Sequence, residues 1–217
     1  MVSFQEIIRS HHRIEKYIHR SKVLTNQSLD ALTSTNLYFK CENFQKAGAF
    51  KIRGATNAVE QLSTKDIEKG VATASSGNHG AALAMAATRR GGKVTVVMPD
   101  NSSHKKVENV KRNGGGIIWC RPLQESREKV LNKFVQETGA VVIHPYNDER
   151  IIAGQGTVAM ELLEDQPDLD VIITPLSGGG LLSGTLCAAK NIKPEIRVYG
   201  AEPEEADDAY RSLKAGK

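Results

Sequence analysis

Apolar and polar positions along this chain fall into two regimes that meet near residue 70. Beyond that point short, β-branched runs recur: Val71-Ala72-Thr73-Ala74, Val94-Thr95-Val96-Val97, Ile117-Ile118-Trp119-Cys120, Val141-Val142-Ile143, Val171-Ile172-Ile173-Thr174 and Val198-Tyr199. Each run is continuous rather than alternating, the pattern of a strand covered on both faces. Helix-length stretches separate them. Residues 80–90 are alanine-rich, 103–111 are amphipathic, and 123–138 carry Leu123, Val130, Leu131, Phe134 and Val135 at helical spacing. Residues 154–164 and 181–190 complete the set. Strands alternating with helices predict βαβ units, parallel pairing and right-handed crossovers. The expected fold class is α/β: an open, mostly parallel sheet with helices on both faces. A small lobe over 71–142 would be inserted into a larger one made of 1–70 and 143–217.

The first seventy residues read differently. Residues 4–17 form a polar amphipathic helix pattern, 36–41 a strand, and 52–62 a second helix after a turn at Gly48. The run Gly114-Gly115-Gly116 lies between a helix and a strand, where a helix stop is expected.

Composition narrows the function classes. With 29 Lys+Arg against 25 Asp+Glu the net charge is only +4, and aromatics make up 5%. A nucleic-acid groove wants clustered cations with stacking rings, so that class is disfavoured. No window approaches a membrane span of about 18 apolar residues. The polar N-terminus lacks a hydrophobic signal core, and the expected location is the cytoplasm. Cys41, Cys120 and Cys187 are too scattered for a disulfide framework or a close-spaced metal cluster.

Two strand-to-helix loops carry candidate chemistry, because sites in parallel sheets lie beyond the carboxyl ends of strands. Ser177-Gly178-Gly179-Gly180 offers close backbone approach and free N–H groups at a helix N-terminus, which suit a phosphate. It also reads as a turn that merely needs positive φ. Gly178 and Gly180 nearly satisfy a dinucleotide fingerprint, with Glu202 as the acidic partner, but Ser183 stands at the last glycine. The other loop, Ser75-Ser76-Gly77-Asn78-His79-Gly80, combines hydroxyls, an amide and a helix start, and reads equally as capping. Lys51, between Phe50 and Ile52 where a helix opens, is unusual for a residue of solvated surfaces. Desolvation and the positive helix end both lower a lysine pKa, and a neutral amine condenses with aldehydes. An amine and a phosphate cradle together suit pyridoxal phosphate.

Phe50-Lys51-Ile52-Arg53-Gly54-Ala55, Ser75-Ser76-Gly77-Asn78-His79-Gly80, His144-Pro145, Ala153-Gly154-Gln155-Gly156-Thr157 and the glycine-rich loop occur in this order and spacing. In this the chain resembles the fold-type II pyridoxal-phosphate enzymes, most of all the serine racemase and serine/threonine dehydratase branch, from about Arg13 onward. The resemblance implies a tryptophan synthase β-like fold with the cofactor between two lobes. It implies that Lys51 holds pyridoxal 5′-phosphate as a Schiff base and is the base on one face, with Ser76 acting on the other. Asn78 would meet the cofactor's ring oxygen. Ser177, Gly178, Gly179, Gly180 and Leu181 would hold its phosphate, with Ser177 standing where glycine is usual. Ser75, Ser76, Gly77, Asn78 and His79 would line the subsite for a small amino acid, serine or threonine. Glu202, the Ala206 carbonyl and Asp208 match a structural Mg²⁺ or Ca²⁺ site within a run of five carboxylates in seven residues, which otherwise reads as a solvated helix start. Homodimers are common in the family. Its chains continue for about a further third, which carries the residue that meets the pyridine nitrogen. The expectations are therefore an active racemase/dehydratase, a truncated and inactive binding protein, or a dinucleotide-dependent enzyme.

Overall fold

The computed structural model describes residues 1–216; Lys217, at the end of the expected larger lobe, lies outside the described residues. Ten α-helices and eight strands are present among them. In chain order they are α1 (Phe4–Ile14), β1 (Val23–Leu24), α2 (Gln27–Thr33), β2 (Phe39–Lys40), α3 (Lys51–Glu60), α4 (Thr64–Lys69), β3 (Val71–Ala74), α5 (Asn78–Arg89) and β4 (Val94–Pro99). They continue with α6 (His104–Arg112), β5 (Gly115–Cys120), α7 (Gln124–Thr138), β6 (Val141–Val142), α8 (Glu149–Asp165), β7 (Val171–Pro175), α9 (Gly180–Ile192), β8 (Arg197–Ala201) and α10 (Asp208–Ala215). The fold is α/β with parallel central sheets, as the alternating pattern implies. Strands β5-β4-β3-β6 make one parallel sheet, β7-β8 a second, and β1-β2 a short antiparallel pair. No helix among the described residues is long and apolar enough to cross a membrane.

The pleat sends alternate residues of β4 to opposite faces. Val94, Val96 and Met98 enter the main core, which also takes in Ala81–Ala84 of α5, Ile52, Ala55 and Val59 of α3, and Ile14, Ile143 and Ile151. Val97, on the other face, is fully buried, and α7 lies against β3, β4 and β5. The core is thus continuous from the four-stranded sheet into α3 and α8. A second cluster joins Ile7 of α1 to Ala153 and Met160 of α8 and Ala188 of α9. The β7–β8 pair is covered on one side only: Ile173 is 69% and Tyr199 51% exposed.

Several boundaries differ from the expectations. The 4–17 helix is α-helical only to Ile14, with a 3₁₀ turn over Glu15–Tyr17. The 36–41 strand shrinks to Phe39–Lys40, because its partner β1 offers only two residues for pairing. The helix expected from 154 begins five residues earlier at Glu149, where the Asp148 carboxylate accepts the Arg150 N–H. Of the three glycines at 114–116 only Gly114, at φ +90°, serves the helix stop. Gly115 and Gly116 start β5, and Gly115 is required because a Cβ there would lie 2.7 Å from Val110 Cγ1.

Helix α8 is the centre of the larger assembly, and its glycines explain why. A Cβ on Gly154 would lie 2.6 Å from Gly54 Cα, and one on Gly156 would lie 2.9 Å from the Gly184 carbonyl. So α8 touches α3 and α9 backbone to backbone. Beside the first contact sits a buried ion network. The Arg53 guanidinium, fully buried, donates bidentate pairs to Glu161 and to Glu42 at 2.7–2.9 Å, and a fifth bond to Thr157 Oγ1 at 3.1 Å. Lys40 Nζ lies 2.9 Å from Glu161. Burial opposes the Glu161 charge, but the Arg53 and Lys40 bonds overcome it and hold the carboxyl below its usual value. Removing one member of such a set costs about 3–5 kcal/mol.

Gly154→Ala is expected to destabilise the fold by about 1–3 kcal/mol, because its Cβ meets backbone that cannot move aside. Gly116→Ala, whose Cβ would meet only the Val94 carbonyl at 3.4 Å, is the matched control and should shift stability far less. Urea unfolding of both variants measures the difference.

Candidate active site

Lys51 is the first residue of α3, and the chain is re-aimed just before it. Ala47 (φ +59°) and Gly48 (φ +77°) both take the left-handed conformation, which for alanine is strained. Ala47 and Ser34 are the only non-glycine residues with positive φ among those described. Helix α3 then opens with no side-chain cap at Phe50. The Lys51 Nζ donates to the Pro145 carbonyl at 2.8 Å and sits 5.2 Å from the centre of the Phe50 ring. Burial pushes its pKa down to about 8. At neutral pH a far larger share of this amine is therefore uncharged than of an ordinary lysine.

The Ser75–Gly80 loop divides between capping and exposure. The Ser75 hydroxyl is buried and accepts N–H groups from Gly77 and Gly80, each at 3.1 Å. Ser76 and Asn78 are exposed and make none of these bonds. Gly77 is packed tightly: a Cβ there would lie 2.8 Å from Lys106 Cδ. His79 is buried, with Nε2 3.2 Å from the Ile143 carbonyl and Nδ1 without a partner. Desolvation, and then the Lys51 charge, push its pKa down to about 3, so it is neutral and donates from Nε2.

The third component is the loop entering α9. Gly179 is its left-handed residue, at φ +82°, and Ser177 has no positive φ, so serine there is not strained. The first N–H groups of α9 lack intrahelical acceptors, which makes this a ready anion site. Tyr146 packs directly over the loop: a Cβ on Gly178 would lie 2.2 Å from the Tyr146 ring, and one on Gly180 3.0 Å from its carbonyl. Tyr146, His144, the three glycines and Ser183 line one groove of about 300 Å³.

Residues 143–147 strap these parts together. Ile143 meets His79, Pro145 meets Lys51, and Tyr146 meets the glycine loop. His144 Nδ1 accepts the Tyr146 and Asn147 N–H groups at 3.3 and 2.9 Å, which fixes the turn. Burial, opposed by Asp148 and reinforced by Lys51, lowers the His144 pKa. In the sequence His144-Pro145 stands out only as part of a motif set. The working contact is a backbone carbonyl, for which no residue type is a signal. The acidic run lies elsewhere. Glu202 accepts the N–H groups of Ala209 and Tyr210 at 3.2 and 3.0 Å, Ala206 closes a 3₁₀ turn, and Asp208 opens α10. Glu202 therefore caps a helix, and the dinucleotide reading lacks its final glycine, where Ser183 stands.

Comparison with known proteins identifies the family and the fold. A family model described as pyridoxal-phosphate dependent enzyme matches residues 14–217. A serine racemase of Arabidopsis thaliana is 54% identical over 97% of this chain, which spans 64% of that protein. A β-hydroxyaspartate dehydratase of Paracoccus denitrificans is 50% identical over 99% of this chain, spanning 68% of that protein. The solved structure of maize serine racemase superposes with a TM-score of 0.97 at 52% identity, covering all of this chain and 66% of that one.

The geometry sets a pH dependence that needs no ligand. In competitive acylation read by mass spectrometry, Lys51 should gain reactivity with a midpoint near pH 8. Surface lysines should keep midpoints near about 10.4. A Lys51 midpoint matching theirs would show the amine to be solvated.

Proposed function

The chain belongs to the pyridoxal-phosphate dependent enzyme family, and from that premise we propose that it is a serine racemase with a serine/threonine dehydratase side activity. The observation that carries the proposal is the strap over 143–147. Its Pro145 carbonyl accepts the desolvated lysine amine, and the next residue, Tyr146, walls the glycine loop. The residues fit pyridoxal phosphate: Lys51 offers a nucleophilic amine, and the loop from Ser177 to Leu181 offers N–H groups that only side-chain-free positions 178 and 180 can present under the Tyr146 ring. Bound there, the cofactor supplies the electron sink that makes the Cα–H of an attached amino acid acidic.

The chain's own residues then do the rest. Lys51 takes or returns the proton on one face, and the Ser76 hydroxyl does so on the other. Proton removal on one face and return on the other inverts the α-carbon. Loss of the proton with the β-hydroxyl as water, followed by hydrolysis, releases a keto acid and ammonium. Asn78, exposed like Ser76, would hydrogen-bond the cofactor ring oxygen. Ser75 fixes the loop, and the Ser75–His79 segment with its open N–H groups receives the substrate carboxylate. The division into a 71–142 lobe and a lobe of 1–70 with 143–217, and a homodimeric assembly, belong to the same proposal.

A divalent cation, Mg²⁺ or Ca²⁺, at Glu202, the Ala206 carbonyl and Asp208 completes it. Its support is the oxygen chemistry of those donors. The set is limited to two carboxylates and a carbonyl, since no group of three or more His, Cys, Asp or Glu side chains converges among the described residues.

Added pyridoxal phosphate should give the chain a visible absorbance band that Lys51→Ala abolishes; no band from the unaltered chain would sink the proposal. Ser76→Ala should lower racemisation of serine by about 10²–10⁴-fold while pyruvate release from L-serine persists, as loss of one general acid–base group implies. Magnesium or calcium should raise the unfolding midpoint over that in chelator, and Asp208→Asn should remove the gain.

A further inference from the structure

The Arg53 network performs no step of the reaction, yet it is the most heavily bonded buried polar group in the molecule. All five N–H donors of its guanidinium are used: Nε toward Glu42, Nη1 toward Thr157 and Glu161, and Nη2 toward Glu42 and Glu161. Lys40 Nζ bonds Glu161 and the Ser21 carbonyl, and the Ser21 hydroxyl bonds Glu42. Two cations and two carboxylates thus pair within a largely buried cluster that joins α3, α8 and the segment around β2, with Asp165 3.7 Å from Lys40 at its edge.

Arg53 stands two residues after Lys51. At about 100° per residue the two side chains leave α3 on nearly opposite faces. One faces the network and the other the Pro145 carbonyl. Core packing of Ile52, Ala55 and Val59 and the buried Asn57, which donates to the Arg150 carbonyl at 2.6 Å, also seat this helix, but the directional clamp nearest Lys51 is the Arg53 fork. Phe50 makes no capping bond, and the Gly54–Gly154 contact presents no side chain that could act as a key. The Gln155 side chain accepts the Gly54 N–H at 3.2 Å, a single bond near the axis. A planar guanidinium clamped between two carboxylates, by contrast, resists any turn of the helix.

We propose that Arg53, Glu161 and Glu42 are positioning residues for Lys51: their buried fork sets the rotation of α3 about its own axis and so holds the amine at the Pro145 carbonyl. The inference rests on the pyridoxal-phosphate reading only for the group that the amine meets.

The test separates positioning from plain stability. Arg53→Lys keeps the charge and loses the fork; Glu42→Gln, at the partly exposed rim of the network, is the milder variant should the first fail to fold. In cofactor-free competitive acylation, folded Arg53→Lys protein should show a Lys51 midpoint raised by about a unit toward an ordinary lysine. Its affinity for pyridoxal phosphate, titrated separately by absorbance, should fall at least about tenfold. Glu42→Gln should move both readings the same way by less. A purely structural role would lower the unfolding midpoint and leave the Lys51 midpoint near 8. That result in the folded variants, or in Glu42→Gln alone if it is the only one that folds, overturns the proposal. If the unaltered chain takes up no pyridoxal phosphate, the functional reading fails, while the acylation result still decides the positioning claim.

Discussion

Backbone contact between helices is the constraint on which this site depends. Lys51 opens α3 and the glycine loop opens α9, and these two helices meet α8 through Gly54–Gly154 and Gly156–Gly184. Gly54 is three residues beyond Lys51, and Gly184 is four beyond Gly180. At about 1.5 Å per residue, both contacts lie within roughly one turn of the chemistry they support. Any side chain at these crossings would push a helix outward close to its functional end. Displacements on the order of 1 Å between reacting groups cost about 10²-fold in rate, so the glycines of Ala153-Gly154-Gln155-Gly156-Thr157 shape the site without touching it.

Electrostatics follow from that closeness. Lys51, His79 and His144 are near enough that the lysine's charge lowers the pKa of both histidines, and burial lowers all three. The carboxylate at hand, Asp148, is engaged by Arg150 and by backbone N–H groups at the start of α8. Burial and the lysine charge thereby lower the proton affinity of this group of bases. An anionic ligand relieves such a pocket, whereas a cationic one would compound the repulsion.

How far the sequence could be read depended on the kind of signal. Strands β3 to β8 are legible as continuous β-branched runs, which burial on both faces explains for β3 and β4 but not for the one-sided pair β7–β8, and the regular alternation implies the parallel topology with them. Helices α2 and α4 went unread, being short and mostly exposed. Yet Asn26 accepts the Leu29 N–H and Ser63 accepts the Asp66 N–H, so caps were there to be found. Asp148 was a similar cue for the true start of α8. Lys51, the Ser75 loop and the glycine loop announced themselves through residue types that chemistry requires. The fold adds the company each keeps. Ser75 is engaged in capping while Ser76 stays free, a division no motif displays. Pro145 and Tyr146 were invisible for opposite reasons: one acts through a carbonyl that every residue has, the other through a ring that any core can use.

Arg53 was the hardest to see, because an arginine between isoleucine and glycine reads as surface. Replacing such a buried ion set with apolar side chains is often neutral or even stabilising, so stability alone does not account for its presence. An apolar cluster is forgiving of rotation, since dispersion contacts have no preferred direction. Hydrogen bonds do, and five of them radiating from one plane permit a single setting of the helix that carries them. The mobile partner in this chemistry is a lysine with four rotatable bonds, anchored at a helix end that lacks a cap of its own. A directional lock two residues away is the kind of interaction that can turn so flexible a side chain into an aimed one.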